Sequence, residues 1–192
     1  MKEARRLVRP LRLDESAIGL LVVDVQERFA PVIYDWAGLL DRLGRLIRFF
    51  RLLKAPIGGT EQYPKGLGAT VPEVREALGG EAAWTLAKTR FSAAGTPELK
   101  MPFKDSGRRQ WVVCGIEAHV CVQQTVLDLL DEGYGVFVPA DAVGSRRLSD
   151  RDAALARMAW SGAVVSTSES LIFEVLRDAS HPLFKQASSL VK

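Results

Sequence analysis

Apolar runs that alternate with amphipathic helical stretches predict an α/β protein. Residues 18–23 are apolar at nearly every position, which is typical of a central parallel strand covered on both faces. Apolar residues then recur at intervals of three and four from Leu39 to Leu53, with arginines on the other face, as in an amphipathic helix. Further strands are predicted at residues 55–60, 84–87, 111–114, 135–139 and 163–166, and further helices at residues 121–133, 152–160 and 168–177. This alternation predicts a parallel sheet with helices on both faces and right-handed crossovers.

Two segments do not fit this alternation. Residues 60–68, TEQYPKGLG, are rich in proline and glycine, and we interpret them as an ordered loop. Residues 1–15 are basic but contain too few apolar positions for the hydrophobic region of a secretory signal, so we interpret them as a basic, mobile leader. A chain of 192 residues favours one domain over residues 1–192.

Composition narrows the possible partners. The chain is 47% hydrophobic and 26% charged, which is typical of a globular protein, and no segment is apolar over the length of a membrane span. The formal net charge is only +3, and no basic run is interleaved with aromatic residues as in nucleic-acid sites. We therefore predict neither a membrane nor a nucleic-acid partner.

Cysteine and histidine are scarce, which restricts disulfide and metal chemistry. Of the two cysteines, Cys114 lies in a predicted strand and Cys121 begins the next helix, so the pattern favours a reducing cytoplasm over a disulfide framework. His119 and His181, the two histidines, belong to no recognisable ligand motif. We predict no metal and no cofactor, although a metal site built from carboxylates stays open.

Cys121 is the strongest candidate for chemistry. The positive potential at the start of a helix lowers the pKa of a thiol below its free value of about 8.5, which makes a nucleophile; the alternative is a buried structural cysteine. Asp24 and Lys88 follow two other predicted strands, and the carboxyl ends of parallel strands meet at one edge of the sheet. There a carboxylate can accept the thiol proton, and an ammonium group can stabilise the thiolate. Taken singly, Asp24 could cap a turn and Lys88 could be a solvated lysine.

Three segments carry a resemblance to a known family: LVVDVQ at residues 21–26, KTRFS at 88–92 and GIEAHVCV at 115–122. With them the chain resembles the isochorismatase-like cysteine hydrolases over nearly its whole length, and most of all the small single-domain members of uncertain substrate. The resemblance implies a six-stranded parallel sheet in the order 3-2-1-4-5-6. It also implies Asp24 as general base, Lys88 as its charged partner and Cys121 as nucleophile.

The resemblance further implies a cis peptide bond between Ile116 and Glu117, which would turn the Glu117 N–H, with that of Cys121, into an oxyanion hole. The implied reaction is thiolate attack on a small amide or carbamoyl compound, followed by hydrolysis of the thioester. In family nicotinamidases an aspartate and two histidines hold a metal between the first two catalytic positions, but this chain has no histidine before His119. Isochorismatases proper use the aspartate and do not need the cysteine, so Cys121 favours acyl transfer.

Further residues near these motifs are candidates for binding the substrate. Gln26 either orients a substrate amide or binds the backbone of the next loop, and Phe29 and Phe91 lie either in the pocket or in the core. Tyr63 either closes over the site or lies in an interface between subunits. Because the exposed segment 60–68 suits contacts between subunits, we predict a homo-oligomer.

Five residues near the third motif and the fifth strand complete the candidate set. Glu117 and His119 either reach the substrate or a neighbouring subunit, or have ordinary capping and surface roles. Cys114 is expected to be inert core, and Asp141 and Arg146 are expected to order the loop after the fifth strand.

Two function hypotheses from different classes follow. The first is a cysteine amidohydrolase with a small-molecule substrate, and the second is a binding or scaffold protein that keeps the fold with little turnover. The convergence of Asp24, Lys88 and Cys121 favours the enzyme. A thiol redox sensor would need a resolving cysteine, for which Cys114 on a buried strand is badly placed.

Overall fold

The computed structural model describes residues 12–79 and 83–192, which form one parallel sheet flanked by helices. The strands are β1 (Ile18–Val23), β2 (Ile57–Gln62), β3 (Ala83–Lys88), β4 (Gln110–Ile116), β5 (Gly135–Pro139), β6 (Val143–Gly144) and β7 (Val164–Ser166). The helices are α1 (Trp36–Leu52), α2 (Pro64–Leu67), α3 (Pro72–Leu78), α4 (Pro97–Asp105), α5 (Gln123–Asp131), α6 (Leu148–Trp160), α7 (Ser168–Leu176) and α8 (Phe184–Leu190). A 3-10 helix (Glu27–Phe29) and a π-helical turn (Ala118–Val122) precede α1 and α5.

The sheet order confirms the predicted three-layer α/β fold. The strands run β3-β2-β1-β4-β5-β7, and every pairing is parallel. This path has six strands, as predicted, and the sixth predicted strand is β7. The additional strand, β6, is only two residues long and pairs with the end of β4, where Gly115 lies opposite Val143. A segment this short has no periodicity from which it could be predicted.

Two apolar clusters, one on each face of the sheet, surround β1, whose residues are all buried. Leu20 and Val22 pack in the cluster that contains the buried faces of α1 and α7. Leu21 and Val23 pack in the cluster that contains the buried faces of α5 and α6. Since successive side chains of a strand point to opposite faces, burial on both sides explains the unbroken apolar run.

The helices that the sequence pattern missed have proline at their first residue or are short. Pro64, Pro72 and Pro97 begin α2, α3 and α4, where a missing N–H costs nothing. The expectation of a loop over residues 60–68 was therefore wrong, because β2 continues to Gln62 and α2 follows. The seven-residue helix α8 was also missed, and α6 begins at Leu148, earlier than predicted.

The interpretation of residues 1–15 as a mobile leader is wrong for residues 12–15, and residues 1–11 lie outside the described residues. Leu13 is fully buried in the core, and its N–H donates to Glu174 Oε1 at 2.8 Å. The Asp14 N–H donates to Gln110 Oε1 at 2.7 Å. These contacts join the start of the described chain to α7 and β4.

No helix within residues 12–79 and 83–192 combines the length and the apolar character needed to cross a membrane.

Candidate active site

Asp24 lies directly after β1, at the carboxyl edge of the sheet. Its backbone has φ 52°, and its N–H donates to the Thr60 carbonyl of β2 at 3.0 Å. In return, the Thr60 hydroxyl donates to Asp24 Oδ1 at 2.7 Å. Because Asp24 is only 1% exposed and Thr60 is 2% exposed, these two bonds fix the carboxylate in a site without bulk water.

Lys88, the last residue of β3, places its ammonium group on the other oxygen of Asp24. Lys88 Nζ lies 2.7 Å from Asp24 Oδ2 and 2.8 Å from Gln62 Oε1, and its side chain has no exposed surface. The carbonyl oxygens of Phe91 and Arg90 accept from the same nitrogen at 3.0 Å and 3.3 Å. An ammonium group has three N–H donors, so these four acceptors can occupy all of them. Lys88 is thus built as a fixed cation that neutralises Asp24.

Cys121 joins this pair from the π-helical turn that precedes α5 and is only 6% exposed. The pKa of Cys121 is raised to about 12, mainly because the thiol is buried; the negative charge of Asp24 contributes to the rise, and the positive charge of Lys88 opposes it. The charges of both Asp24 and Lys88 thus act on the thiol. The structure therefore brings the three predicted residues together.

The expectation of a lowered thiol pKa at Cys121 was wrong. The helix α5 begins two residues later, at Gln123, so Cys121 does not open it. Removal from water disfavours the thiolate, and the adjacent carboxylate adds to that effect. The thiol of Cys121 is consequently neutral at neutral pH.

The backbone before Cys121 turns sharply at the end of β4. Gly115 has φ 106°, and the peptide bond between Ile116 and Glu117 is cis. The Glu117 carbonyl then accepts the N–H groups of Val120 and Val122, on either side of Cys121. Glu117 is thus the point at which β4 becomes the turn that carries the thiol.

Replacing Gly115 by alanine is expected to lower the free energy of unfolding by about 2–3 kcal/mol. A Cβ at this position would lie 2.7 Å from the Val23 nitrogen and even closer to the Val23 oxygen, both of which are backbone atoms of β1. Gly107→Ala is the matched control, since Gly107 also has a positive φ, 66°, but no atom lies near its Cβ position. Chemical denaturation of both variants measures the difference, and equal losses would contradict the steric argument.

The loop after β6 holds this turn through two side-chain contacts. Arg146 Nε donates to Glu117 Oε1 at 2.9 Å, and His119 Nδ1 lies 2.9 Å from Ser145 Oγ. For Glu117 and His119, these contacts agree with the ordinary structural alternative.

The carboxylate of Asp141 accepts from the Ser168 N–H and hydroxyl at the start of α7, at 2.7 and 2.6 Å.

Two of the candidate substrate-binding residues have structural roles instead. Gln26 is fully buried, its Nε2 donates to the carbonyls of Gln62 and Gly68 at 3.0 and 2.6 Å, and its Oε1 accepts the Gln62 N–H. The amide has no N–H left for a substrate, so its assignment to substrate binding was wrong. The side chain of Phe29 is half-buried and packs against the core cluster next to α1.

Tyr63 lines an open cleft of about 530 Å³ that shares Lys88 with the site. The cleft is lined by residues 63–65, 87–90 and 96–98. The side chain of Tyr63 is 54% exposed. Neither Asp24 nor Cys121 lines the cleft, so it borders the buried site from the β3 side. Phe91 is 51% exposed and does not line the cleft, and its carbonyl binds Lys88.

The two cysteines lie on opposite faces of the sheet. Cys114 is fully buried in the cluster next to α1, whereas Cys121 belongs to the cluster next to α5. Burial raises the pKa of Cys114 far above its ordinary range, as expected for an inert core thiol. The sheet between the two thiols removes Cys114 as a resolving partner for a redox sensor.

Several polar residues that complete the site were missed by sequence reasoning. Thr60 and Gln62 lie two residues apart on β2 and bind Asp24 and Lys88, respectively. Thr125 accepts the Ala93 N–H and donates to the Cys121 carbonyl at 2.7 Å, which links α5 to the segment after Lys88. Polar residues with a period of two at the end of a buried strand were the available signal. Among the described residues, no cluster of His, Cys, Asp and Glu could hold a metal ion.

The sequence matches the model of the isochorismatase domain over residues 19–170. It is 45% identical over 174 residues to the human isochorismatase domain-containing protein 2, covering 90% of this chain and 82% of that protein. The chain therefore belongs to the isochorismatase family of hydrolases.

Solved structures show the same fold. MAR1 ribonuclease from Caenorhabditis elegans is 39% identical with a TM-score of 0.88, covering 94% of this chain and 92% of that one. YcaC from Pseudomonas aeruginosa, in a structure with hexane-2,5-diol and covalent acrylamide, is 27% identical with a TM-score of 0.87, covering 94% and 90%.

Proposed function

We propose that this chain is a cysteine hydrolase that cleaves the C–N bond of a small amide or carbamoyl compound. The observation that carries the proposal is the buried set formed by Asp24, Lys88 and Cys121. A carboxylate, an ammonium group and a thiol held together at the carboxyl edge of a parallel sheet provide a base, a compensating charge and a nucleophile. Burial of such groups costs stability that a scaffold has no need to lose.

The raised pKa of Cys121 defines the first step. The neutral thiol gives its proton to Asp24 as sulfur attacks the carbonyl carbon, so the thiolate need not exist beforehand. The same proton then passes from Asp24 to the leaving nitrogen, the C–N bond breaks, and a thioester remains on Cys121. Throughout, Lys88 keeps its positive charge and offsets the charge that moves between carboxylate and sulfur.

In the hydrolysis of the thioester, a proton passes from water through Asp24 to the sulfur of Cys121. Asp24 accepts a proton from water as the water attacks the thioester carbon, and the departing sulfur takes that proton as the acid product forms. The N–H groups of Glu117 and Cys121 are the proposed donors to the tetrahedral oxyanion in both steps. The turn between β4 and α5 would hold these donors.

A relative supports a reactive nucleophile in this fold. Acrylamide is an electrophile that reacts with thiols, and the P. aeruginosa relative was found with covalent acrylamide. The name ribonuclease describes the C. elegans relative. For this chain, a thiol paired with a carboxylate base favours attack on an acyl carbon.

The proposal includes the partners expected of such an enzyme. A small molecule that enters beside Tyr63 is the substrate, and the two free cysteines fit a reducing compartment such as the cytoplasm. We also propose a homo-oligomer, because the large side chains of Tyr63 and Phe91 are both more than half exposed.

Acetylation by p-nitrophenyl acetate tests the identity of the nucleophile. The wild type is expected to release a burst of p-nitrophenolate equal to the enzyme concentration, with the acetyl group on Cys121 in peptide mass spectrometry. Cys121→Ser should lose the burst by ~10²-fold or more, since a serine hydroxyl is a far weaker nucleophile here. Cys114→Ser, the matched control on the other face of the sheet, should keep it. An acetyl group elsewhere, or none, would leave the scaffold as the better hypothesis.

A further inference from the structure

Residues 143–146, here called the support arm, lie alongside the turn that leads to Cys121. Within the arm, β6 pairs in parallel with the last residues of β4, and the Gly115 N–H donates to the Ala142 carbonyl just before it at 2.9 Å. The next two residues, Ser145 and Arg146, reach His119 and Glu117 with their side chains. The arm therefore contacts the turn through both backbone and side chains.

The arm is itself anchored on both sides. The Tyr34 N–H donates to the Ser145 carbonyl at 3.1 Å, and Ser145 is only 2% exposed. Before the arm, Asp141 binds the start of α7 through the backbone and hydroxyl of Ser168. Because these anchors belong to other elements of the fold, the arm can serve as a fixed reference for the turn.

The ion pair between Arg146 and Glu117 is unequal in burial. The Glu117 side chain is 9% exposed, whereas the Arg146 side chain is 58% exposed. The carboxylate of Glu117 has lost most of its water, and Arg146 Nε at 2.9 Å is the charged donor that replaces it. The orientation of the Glu117 side chain thus depends on a residue that is accessible from solvent.

Glu117 transmits this orientation to the reacting centre. Its carbonyl accepts the N–H groups of Val120 and Val122, which flank Cys121, and its own N–H is one of the two proposed oxyanion donors. A rotation of Glu117 would displace both the thiol turn and that donor. Misplacement by about 1 Å costs catalysis on the order of 100-fold.

We propose that Arg146 is a positioning residue that, through Glu117, keeps the oxyanion donors and the Cys121 thiol at the correct positions relative to each other. This inference rests on the proposed cysteine hydrolase, and Arg146 itself touches no reacting atom. It assigns to Arg146 a role beyond ordering the loop, because the arm acts on the geometry in which the tetrahedral oxyanion forms.

Two reactions of Cys121 separate positioning from general stability. With p-nitrophenyl acetate, an S–C bond forms through a tetrahedral oxyanion and p-nitrophenolate leaves; with iodoacetamide, sulfur displaces iodide at a saturated carbon and no oxyanion forms. In acetylation the thiol proton passes to Asp24, whereas alkylation by iodoacetamide proceeds from the thiolate, whose proton has gone to solvent. Arg146→Met, which keeps the apolar length of the side chain, should slow acetylation by about 10–100-fold and change alkylation by less than ~2-fold.

Two further variants keep the inference testable if Arg146→Met folds poorly. Arg146→Lys, which retains the charge, should recover part of the acetylation rate, and Glu117→Gln should slow acetylation in the same selective way. The double variant Glu117→Gln with Arg146→Met should be no slower than the more affected single variant, because both act on one contact. The ratio of the two rates is measured in every case.

If the ratio of acetylation to alkylation is unchanged in Arg146→Met, whether both rates are kept or both fall equally, the positioning role is overturned while Cys121 remains the nucleophile. Absence of acetylation at Cys121 in the wild type would instead overturn the proposed function itself. The two failures are therefore distinguishable in one set of measurements.

Discussion

Asp24→Asn is expected to make Cys121 easier to alkylate and yet to abolish turnover. The carboxylate of Asp24 raises the pKa of the thiol, whereas Lys88 lowers it. Removing the negative charge leaves the effect of burial opposed by the cation, so the thiol pKa falls and alkylation by iodoacetamide at neutral pH becomes faster. Hydrolysis loses its base, and turnover of p-nitrophenyl acetate should fall by about 10²–10⁴-fold.

Faster alkylation together with slower turnover distinguishes the loss of a catalytic base from a general loss of structure. Because acetylation loses its proton acceptor and deacylation loses the base that activates water, the variant should acetylate Cys121 slowly, through its thiolate, and then stall with the acetyl group in place. The pH profile of alkylation and the burst amplitude are the two measurements. Asp105→Asn, at an exposed aspartate in α4, is the control that should change neither. Slower alkylation in Asp24→Asn would contradict the assigned electrostatics.

Lys88→Met is expected to lower the free energy of unfolding by about 3–5 kcal/mol, because it leaves the Asp24 carboxylate buried without a counter-ion. The ammonium group lies 2.7 Å from that carboxylate, and neither side chain is more than 1% exposed. The pKa of Cys121 should also rise, since Lys88 is the group that lowers it. Urea denaturation measures the first effect, and the pH profile of alkylation measures the second.

A second substitution shows whether the loss comes from the unpaired charge. Adding Asp24→Asn to Lys88→Met removes the stranded carboxylate and should recover most of the lost stability. Lys104→Met, at an exposed lysine of α4, should cost no more than ~0.5 kcal/mol. If the double variant were less stable than Lys88→Met, the destabilisation would arise from packing rather than charge.

The sequence predicts the sheet well because β1 and its neighbours are buried on both faces. An unbroken apolar run such as residues 18–23 has one simple explanation in an α/β protein, and the order of the long strands follows from the family resemblance. The helices α2, α3 and α4 were missed because each begins with a proline that also reads as a chain breaker. The strand β6 forms only because β4 offers it a partner.

At the site, the sequence predicts which residues meet but not how their charges balance. Asp24, Lys88 and Cys121 can be placed from strand ends alone. The pKa of Cys121 depends instead on burial at 6% exposure and on the distance to Asp24, which no local pattern reveals. Likewise, the amide of Gln26 is committed to the backbone of residues 62 and 68, a contact across the chain that spacing cannot predict.

The cation of the site is carried by the strand at the edge of the sheet. In the described sheet, β3 pairs with β2 alone, so one row of its backbone groups lacks the support that β1 receives from two neighbours. Edge strands open locally at a lower free energy than central ones. Each such opening withdraws Lys88 and leaves Asp24 and the thiol in place. For the proposed hydrolase, the fraction of time for which the site is complete would then depend on the local stability of one strand, and any molecule that covers β3 would raise it.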